Sequence, residues 1–131
     1  MQGWIRKAES DLAVLELAVG AEVALDTACF HAQQTAEKYL KAYLLARNVP
    51  FPFTHNLVRL VALCETQDPQ FATLTSYADS LTPFAAGLRY DGEFWPSMEA
   101  AEEALEAAVA IKQFVLQRIP PHLAAGDAAT T

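Results

Sequence analysis

The sequence predicts an all-α protein, an up-and-down antiparallel bundle of four to five helices. Three observations carry this expectation. Apolar residues recur at three- and four-residue spacing along most of the chain. The stretches between them are short and marked by Gly, Pro, Asn or Asp. No segment alternates in the way a convincing strand would. With 131 residues, 53% of them hydrophobic, the chain can bury one real core but not two ordinary ones. We therefore expect one helical domain over residues 1–120 and a flexible tail over 121–131, rich in Ala, Gly and Thr.

The first helix is expected from Gln2 to about Val19, with the stripe Ile5, Ala8, Leu12, Leu15 and Val19 inward, Glu9 and Asp11 off it, and Gly20 as its stop. Asp26 is the candidate N-cap of a second helix that runs to about Arg47. Asn48 then precedes Pro50 and Pro52, which forbid continuation. The apolar linker Val49-Pro50-Phe51-Pro52-Phe53 is expected to pack across the end of the bundle. A third helix is expected over Thr54 to Thr66, capped by Thr54, with Leu57, Leu60 or Val61, and Cys64 inward. Asp68-Pro69 opens a fourth, since an acidic cap followed by proline at the first helical position is a good start signal. Phe71, Leu74, Ala78 and Leu81 form its stripe, and Pro83 disturbs or ends it.

Phe84 to Pro96 reads as irregular. Ser97 caps the last helix, which is expected to run to about Ile119 before Pro120-Pro121. Glu99, Glu102 and Glu103 stand near its start and Lys112 and Arg118 near its end, the polarity that suits the helix dipole. Trp95 is expected to staple this helix to its neighbours.

Composition narrows the function. Formal net charge is -7, from 9 basic and 16 acidic residues. Such a chain does not coat nucleic acid non-specifically, because phosphate neutralisation needs clustered Lys and Arg; local basic patches remain compatible with it. No apolar run approaches a membrane span, and the first residues lack the pattern of a secretory signal, so a cytoplasmic location is expected. Cys29 and Cys64 have neither the spacing of a zinc site nor that of a redox pair and read as small buried hydrophobes. No cluster has metal-ligand spacing, and no metal or cofactor is expected.

The most specific stretch is His31-Ala32-Gln33-Gln34-Thr35-Ala36-Glu37-Lys38-Tyr39-Leu40-Lys41-Ala42. Ala28, Ala32, Ala36, Tyr39 or Leu40, and Tyr43 or Leu44 give it one apolar stripe. The opposite side carries Gln33, Glu37 and Lys41 at i, i+4 spacing, with Glu37 before Lys41 in the favourable order. The physical reading is a solvated face with one helical ion pair.

These marks together resemble the HEPN (higher eukaryote and prokaryote nucleotide-binding) domain. Trp4 with Ala8, Asp11 and Leu12 resembles its first helix, and His31 to Ala42 its most recognisable segment. Thr54-His55-Asn56-Leu57 resembles the Thr-His-x-Leu start of its third helix, and Arg89-Tyr90 the Arg-Tyr before its last helix. The resemblance spans residues 2 to about 118 and implies a small up-and-down helical bundle. Some members are metal-independent RNases with an Arg-x(4–6)-His motif that meets its copy across a dimer. Others partner a minimal nucleotidyltransferase in toxin–antitoxin or related pairs, and others are named for proposed nucleotide binding.

In this chain Arg89 has no histidine after it before His122. Arg118 to His122 is too close and broken by two prolines, and Arg47 to His55 is too long. No residue is therefore assigned as catalytic. The resemblance implies a homodimer, a separately encoded minimal nucleotidyltransferase as partner, and nucleotide or RNA contact. Arg89, Tyr90, Asp91 and His55 are the candidate nucleotide- or RNA-binding residues: an arginine can hold a phosphate bidentately, a tyrosine can stack on a base, and a helix start favours an anion. His31, Gln34, Lys38 and Lys41 form a candidate partner-facing polar strip. The rival expectation is an endoribonuclease with a non-standard site built from Arg89 with His55 or His31.

Overall fold

The computed structural model describes residues 2–85 and 95–120. Five α-helices account for most of them: α1 (Gln2–Ala21), α2 (Leu25–Ala46), α3 (Leu57–Glu65), α4 (Thr75–Leu81) and α5 (Met98–Leu116). Among the described residues there is no strand. The expected all-α bundle is the fold observed.

Cross-helix neighbours give the directions. Trp4 of α1 lies by Lys41 of α2, and Asp11 by His31 and Lys38, so rising numbers on one helix meet falling numbers on the other. α1 and α2 are antiparallel. On the far side Thr73 and Tyr77 share a groove with Gln113 and Gln117, and Ser80 and Phe84 share one with Ala100 and Ala104, so α4 runs antiparallel to α5. α2 packs most extensively on α1 and α5 and also meets α3 and α4, which makes it the central helix.

Several boundaries differ from the sequence expectation, each for a local reason. Gly20 does not stop α1. The helix runs to Ala21 and closes with Glu22 at φ 56°, whose N–H donates to Val19 O while Val23 N–H donates to Ala18 O. This is the paired bonding of a left-handed C-terminal motif, adopted here by a glutamate in place of glycine. Asn48, at φ 57°, closes α2 in the same way, with Asn48 N–H to Leu45 O and Val49 N–H to Leu44 O. Asp26 is not the cap of α2. Left-handed Ala24 occupies that position without a side-chain bond, and Asp26 sits inside the first turn, where its charge still suits the helix dipole.

Thr54 does not cap α3 either. Asn56 does, its side chain accepting from Arg59 N–H at 3.2 Å, while the Thr54 hydroxyl accepts from Asn56 N–H at 3.1 Å. The expected fourth helix divides. Asp68 caps as anticipated, accepting from Gln70 N–H at 2.9 Å, but Pro69–Leu74 is a 3₁₀ helix that only then passes into α4, and Thr82–Phe84 is a second 3₁₀ turn. The expected inward residues Phe71, Leu74, Ala78 and Leu81 are all buried. Ser97 caps α5 by accepting from Ala100 N–H at 3.0 Å. The helix stops at Leu116, and Ile119 is buried just beyond its end. Trp95, the expected staple, is 70% exposed, and Met98 packs against the core at that end.

The core is one cluster drawn from all five helices. Tyr43, Phe71 and Phe114 pack in sequence there, the first pair tilted and the second edge-on, at centroid separations of 4.5 and 4.8 Å. Cys29 and Cys64 are free thiols at 0% exposure, the buried hydrophobes expected. Burial pushes their ionisation up, to about 11 for Cys29 and about 12 for Cys64. At the base of the bundle the Arg118 guanidinium donates to Asp68 (2.9 Å) and Gln70 (2.8 Å) and lies on the Phe114 ring. The Gln70 N–H first, and Arg118 with it, hold the Asp68 carboxyl below its ordinary range. No helix among the described residues is long and apolar enough to cross a membrane.

Candidate functional site

The largest departure from the sequence reading is the polar side of α2. Gln33, Glu37 and Lys41 are not a solvated face. They are 0%, 3% and 4% exposed. A buried charge must be paired and hydrogen-bonded or it destabilises the fold severely, and here each one is.

Glu37 is the centre of this arrangement. Its Oε2 accepts from Lys41 Nζ at 3.0 Å, one turn on. Its Oε1 accepts from Gln33 Nε2 at 3.0 Å and faces His55 Nδ1 at 2.8 Å. Beside a carboxylate the bonded imidazole nitrogen carries the proton, which leaves His55 Nε2 available. Gln33 Nε2 also donates to the His55 carbonyl at 3.1 Å, and Gln34 Nε2 donates to Gln33 Oε1 at 2.7 Å. Two residues of α2 thus fix the segment that leads into α3.

Lys41 has aromatic walls as well. Its Nζ lies 5.6 Å from the Trp4 ring centroid and 5.8 Å from those of Phe51 and Phe53. The rings come from α1 and from the linker. Phe51 packs edge-on to Trp4 at 6.4 Å and against the core, as expected of the linker. Phe53 does not pack inward. It is 94% exposed, with its ring 5.7 Å from that of His55 at an interplanar angle of 69°.

A second carboxylate, Asp11 of α1, serves the neighbouring face of α2. His31 Nδ1 lies 2.7 Å from Asp11 Oδ1, and Lys38 Nζ donates to Asp11 Oδ2. The three side chains are between 11% and 23% exposed. Thr35 donates its hydroxyl to the His31 carbonyl at 2.7 Å. Each of the two histidines described is therefore oriented through Nδ1 by a carboxylate of another element.

The candidate residues are regrouped by this geometry. Of the polar strip, His31 and Lys38 converge on Asp11, whereas Lys41 turns under the aromatic rings to Glu37. Gln34 joins the Glu37 set through Gln33. His55 joins Lys41. Arg89, Tyr90 and Asp91, expected to work with His55, lie outside the described residues, as do His122 and the tail. Sequence reasoning missed Asp11 as a buried acceptor and Phe53 as an exposed ring. Asp11 had one signal: it is the acidic residue flanked by core positions Ala8, Leu12 and Leu15.

The chain is thus a small helical bundle with buried carboxylate–lysine–histidine contacts on its central helix. The HEPN domain model matches residues 1–119. The chain belongs to the HEPN family, and the resemblance seen in the sequence is correct. Two solved structures share the fold. ST0689, described as an archaeal HEPN homologue, is 26% identical, with a TM-score of 0.72 over 90% of this chain and 96% of that one. TT1696 from Thermus thermophilus is 27% identical, with a TM-score of 0.74 over 89% of this chain and 96% of that one. No curated protein matches the chain.

Proposed function

We propose that this HEPN protein is a binding and oligomerisation module, not a conventional HEPN nuclease. Its ligand is a nucleotide or RNA, its own state is a homodimer, and its partner is a separately encoded minimal nucleotidyltransferase in a toxin–antitoxin-like pair. The observation that carries the reading is the engagement of the histidines. An Arg-x(4–6)-His nuclease needs a histidine placed after an arginine to move protons while the arginine holds phosphate charge. Arg89 has no histidine within that range. His31 and His55 are instead bonded to carboxylates that tie them to α1 and α2. The partner and the dimer rest on family analogy.

The second reading is an endoribonuclease with a non-standard site around Arg89. One feature favours it: a carboxylate-oriented imidazole with a free Nε2 is the form a general base takes. Expression of the wild type and Arg89→Ala in bacteria, with RNA integrity followed on a gel, separates the two. Intact RNA with both proteins, together with capture of a nucleotidyltransferase encoded beside the gene, supports the module. RNA cleavage lost in the variant establishes the nuclease. Light scattering at about ten micromolar, the range of ordinary weak association, is expected to give a dimer; a monomer there removes the oligomerisation claim.

A further inference from the structure

We propose that Phe53 and His55 form a stacking corner for an unpaired purine base, in single-stranded RNA or in a free nucleotide. The proposal rests on the nucleotide- or RNA-binding reading above and gives it a place on the molecule. Its starting point is the anomaly of Phe53. A phenylalanine 94% exposed contributes almost nothing to the core and leaves a flat π-face open to a stacking partner.

The ring is nevertheless held. Beneath it sits the Lys41 ammonium, 5.8 Å from its centroid and itself fixed by Glu37. Beside it stands the His55 imidazole, edge-on at 5.7 Å and 69°. The two rings make a floor and a wall inclined at 69° to each other. A planar ring laid on the outer face of Phe53 meets the imidazole with its edge. The wall has hydrogen-bonding capacity to offer, because Glu37 occupies Nδ1 and leaves Nε2 as an acceptor in the neutral ring. The exocyclic amino group of adenine is a matching donor.

The lysine adds selectivity for the floor. A cation on the inner face attracts the π-electrons of Phe53, which leaves the outer face better suited to an electron-rich purine. Trp4, whose ring faces the same Lys41 ammonium, also lines a groove with Gly3, Lys7 and Leu45. Stacking platforms beside isolated cations are how proteins bind single strands without a continuous basic coat. This reconciles nucleic-acid contact with a net charge of -7.

Fluorescence anisotropy of labelled oligoadenylate of about eight nucleotides, a length within common single-strand site sizes, tests the corner at low salt. Wild type is expected to bind, to prefer oligoadenylate to oligouridylate, and to release the label when AMP competes if free nucleotide is also a ligand. Phe53→Ala is expected to weaken binding about tenfold or more, in line with the loss of one stacked base, while Phe53→Trp retains it. His55→Ala is expected to narrow the preference for adenine. Melting of Phe53→Ala checks that the fold is intact. Binding by Phe53→Ala equal to wild type overturns the corner and leaves the nucleic-acid reading standing. Failure of wild type to bind either oligonucleotide or AMP overturns both.

Discussion

Glu37 and Lys41 meet one helical turn apart, Oε2 to Nζ at 3.0 Å, with each side chain only 5% exposed. On a solvated helix such a pair is worth a few tenths of a kcal/mol. Here it is covered by α1, the linker and the segment that leads into α3. Losing one partner strands the other as a buried charge, so Lys41→Met is expected to destabilise by about 3 kcal/mol, a value at the lower end for broken buried pairs. The double variant Glu37→Gln/Lys41→Met is expected to recover part of this, since no charge is left uncompensated. Urea denaturation of the three proteins measures it. A double variant less stable than Lys41→Met would refute the stranded-charge account.

Asp11 ties α1 to α2 through His31 and Lys38 at once. Asp11→Ala removes two charge-assisted bonds from a part-buried site and is expected to cost on the order of 2 kcal/mol. Asp11→Asn, which keeps one acceptor, is expected to cost less. Thermal unfolding with circular dichroism ranks the two, and equal melting of wild type and Asp11→Ala would show that the tether is unimportant.

The Tyr39 hydroxyl is buried without a hydrogen-bond partner among the described residues. Burial above all raises its ionisation, well beyond the ordinary tyrosine range. An unpaired buried hydroxyl contributes a desolvation penalty and no bond. Tyr39→Phe is therefore expected to be as stable as wild type or more stable, by up to about 1 kcal/mol. A clear loss of stability would mean that the hydroxyl has a partner.

The thiols give the alkaline behaviour. Their folded values, about 11 for Cys29 and about 12 for Cys64, lie above the ordinary 9.0. The folded state thus holds the neutral thiols while the unfolded chain releases their protons first. The contribution is complete below pH 9 and is lost as pH rises through the folded values. Denaturation midpoints measured against pH are expected to fall over that window, and less steeply in Cys29→Ala. A thiol reagent is expected to modify the native protein only at the rate of its opening.

Much of the framework was legible. The α2 stripe Ala28, Ala32, Ala36, Leu40 and Leu44 is wholly buried, as its spacing requires, and the Asp68-Pro69 and Ser97 starts are where local chemistry puts them. The helix ends were less so. Ala24 and Glu22 adopt left-handed backbone without the glycine or asparagine that would announce it. Of the candidate site, the sequence marked His31, Gln34, Lys38, Lys41 and His55 as special but misread their surroundings. Arg89, Tyr90 and Asp91 fall outside the described residues.

The sequence by itself determined that the chain is helical, where most of its helices lie, and which family pattern it carries. Only the tertiary structure decided that Gln33, Glu37 and Lys41 are interior and that Phe53 is not. The physical reason is that helical periodicity records the angle between residues and says nothing of what packs on each side. A helix on the outside of a bundle has one buried stripe; α2 packs on α1, α3, α4 and α5, and Trp4 of α1, Phe51 of the linker and His55 lie over its polar side, so that side is covered too. There the pairing of each charge, and not its exposure, makes burial tolerable.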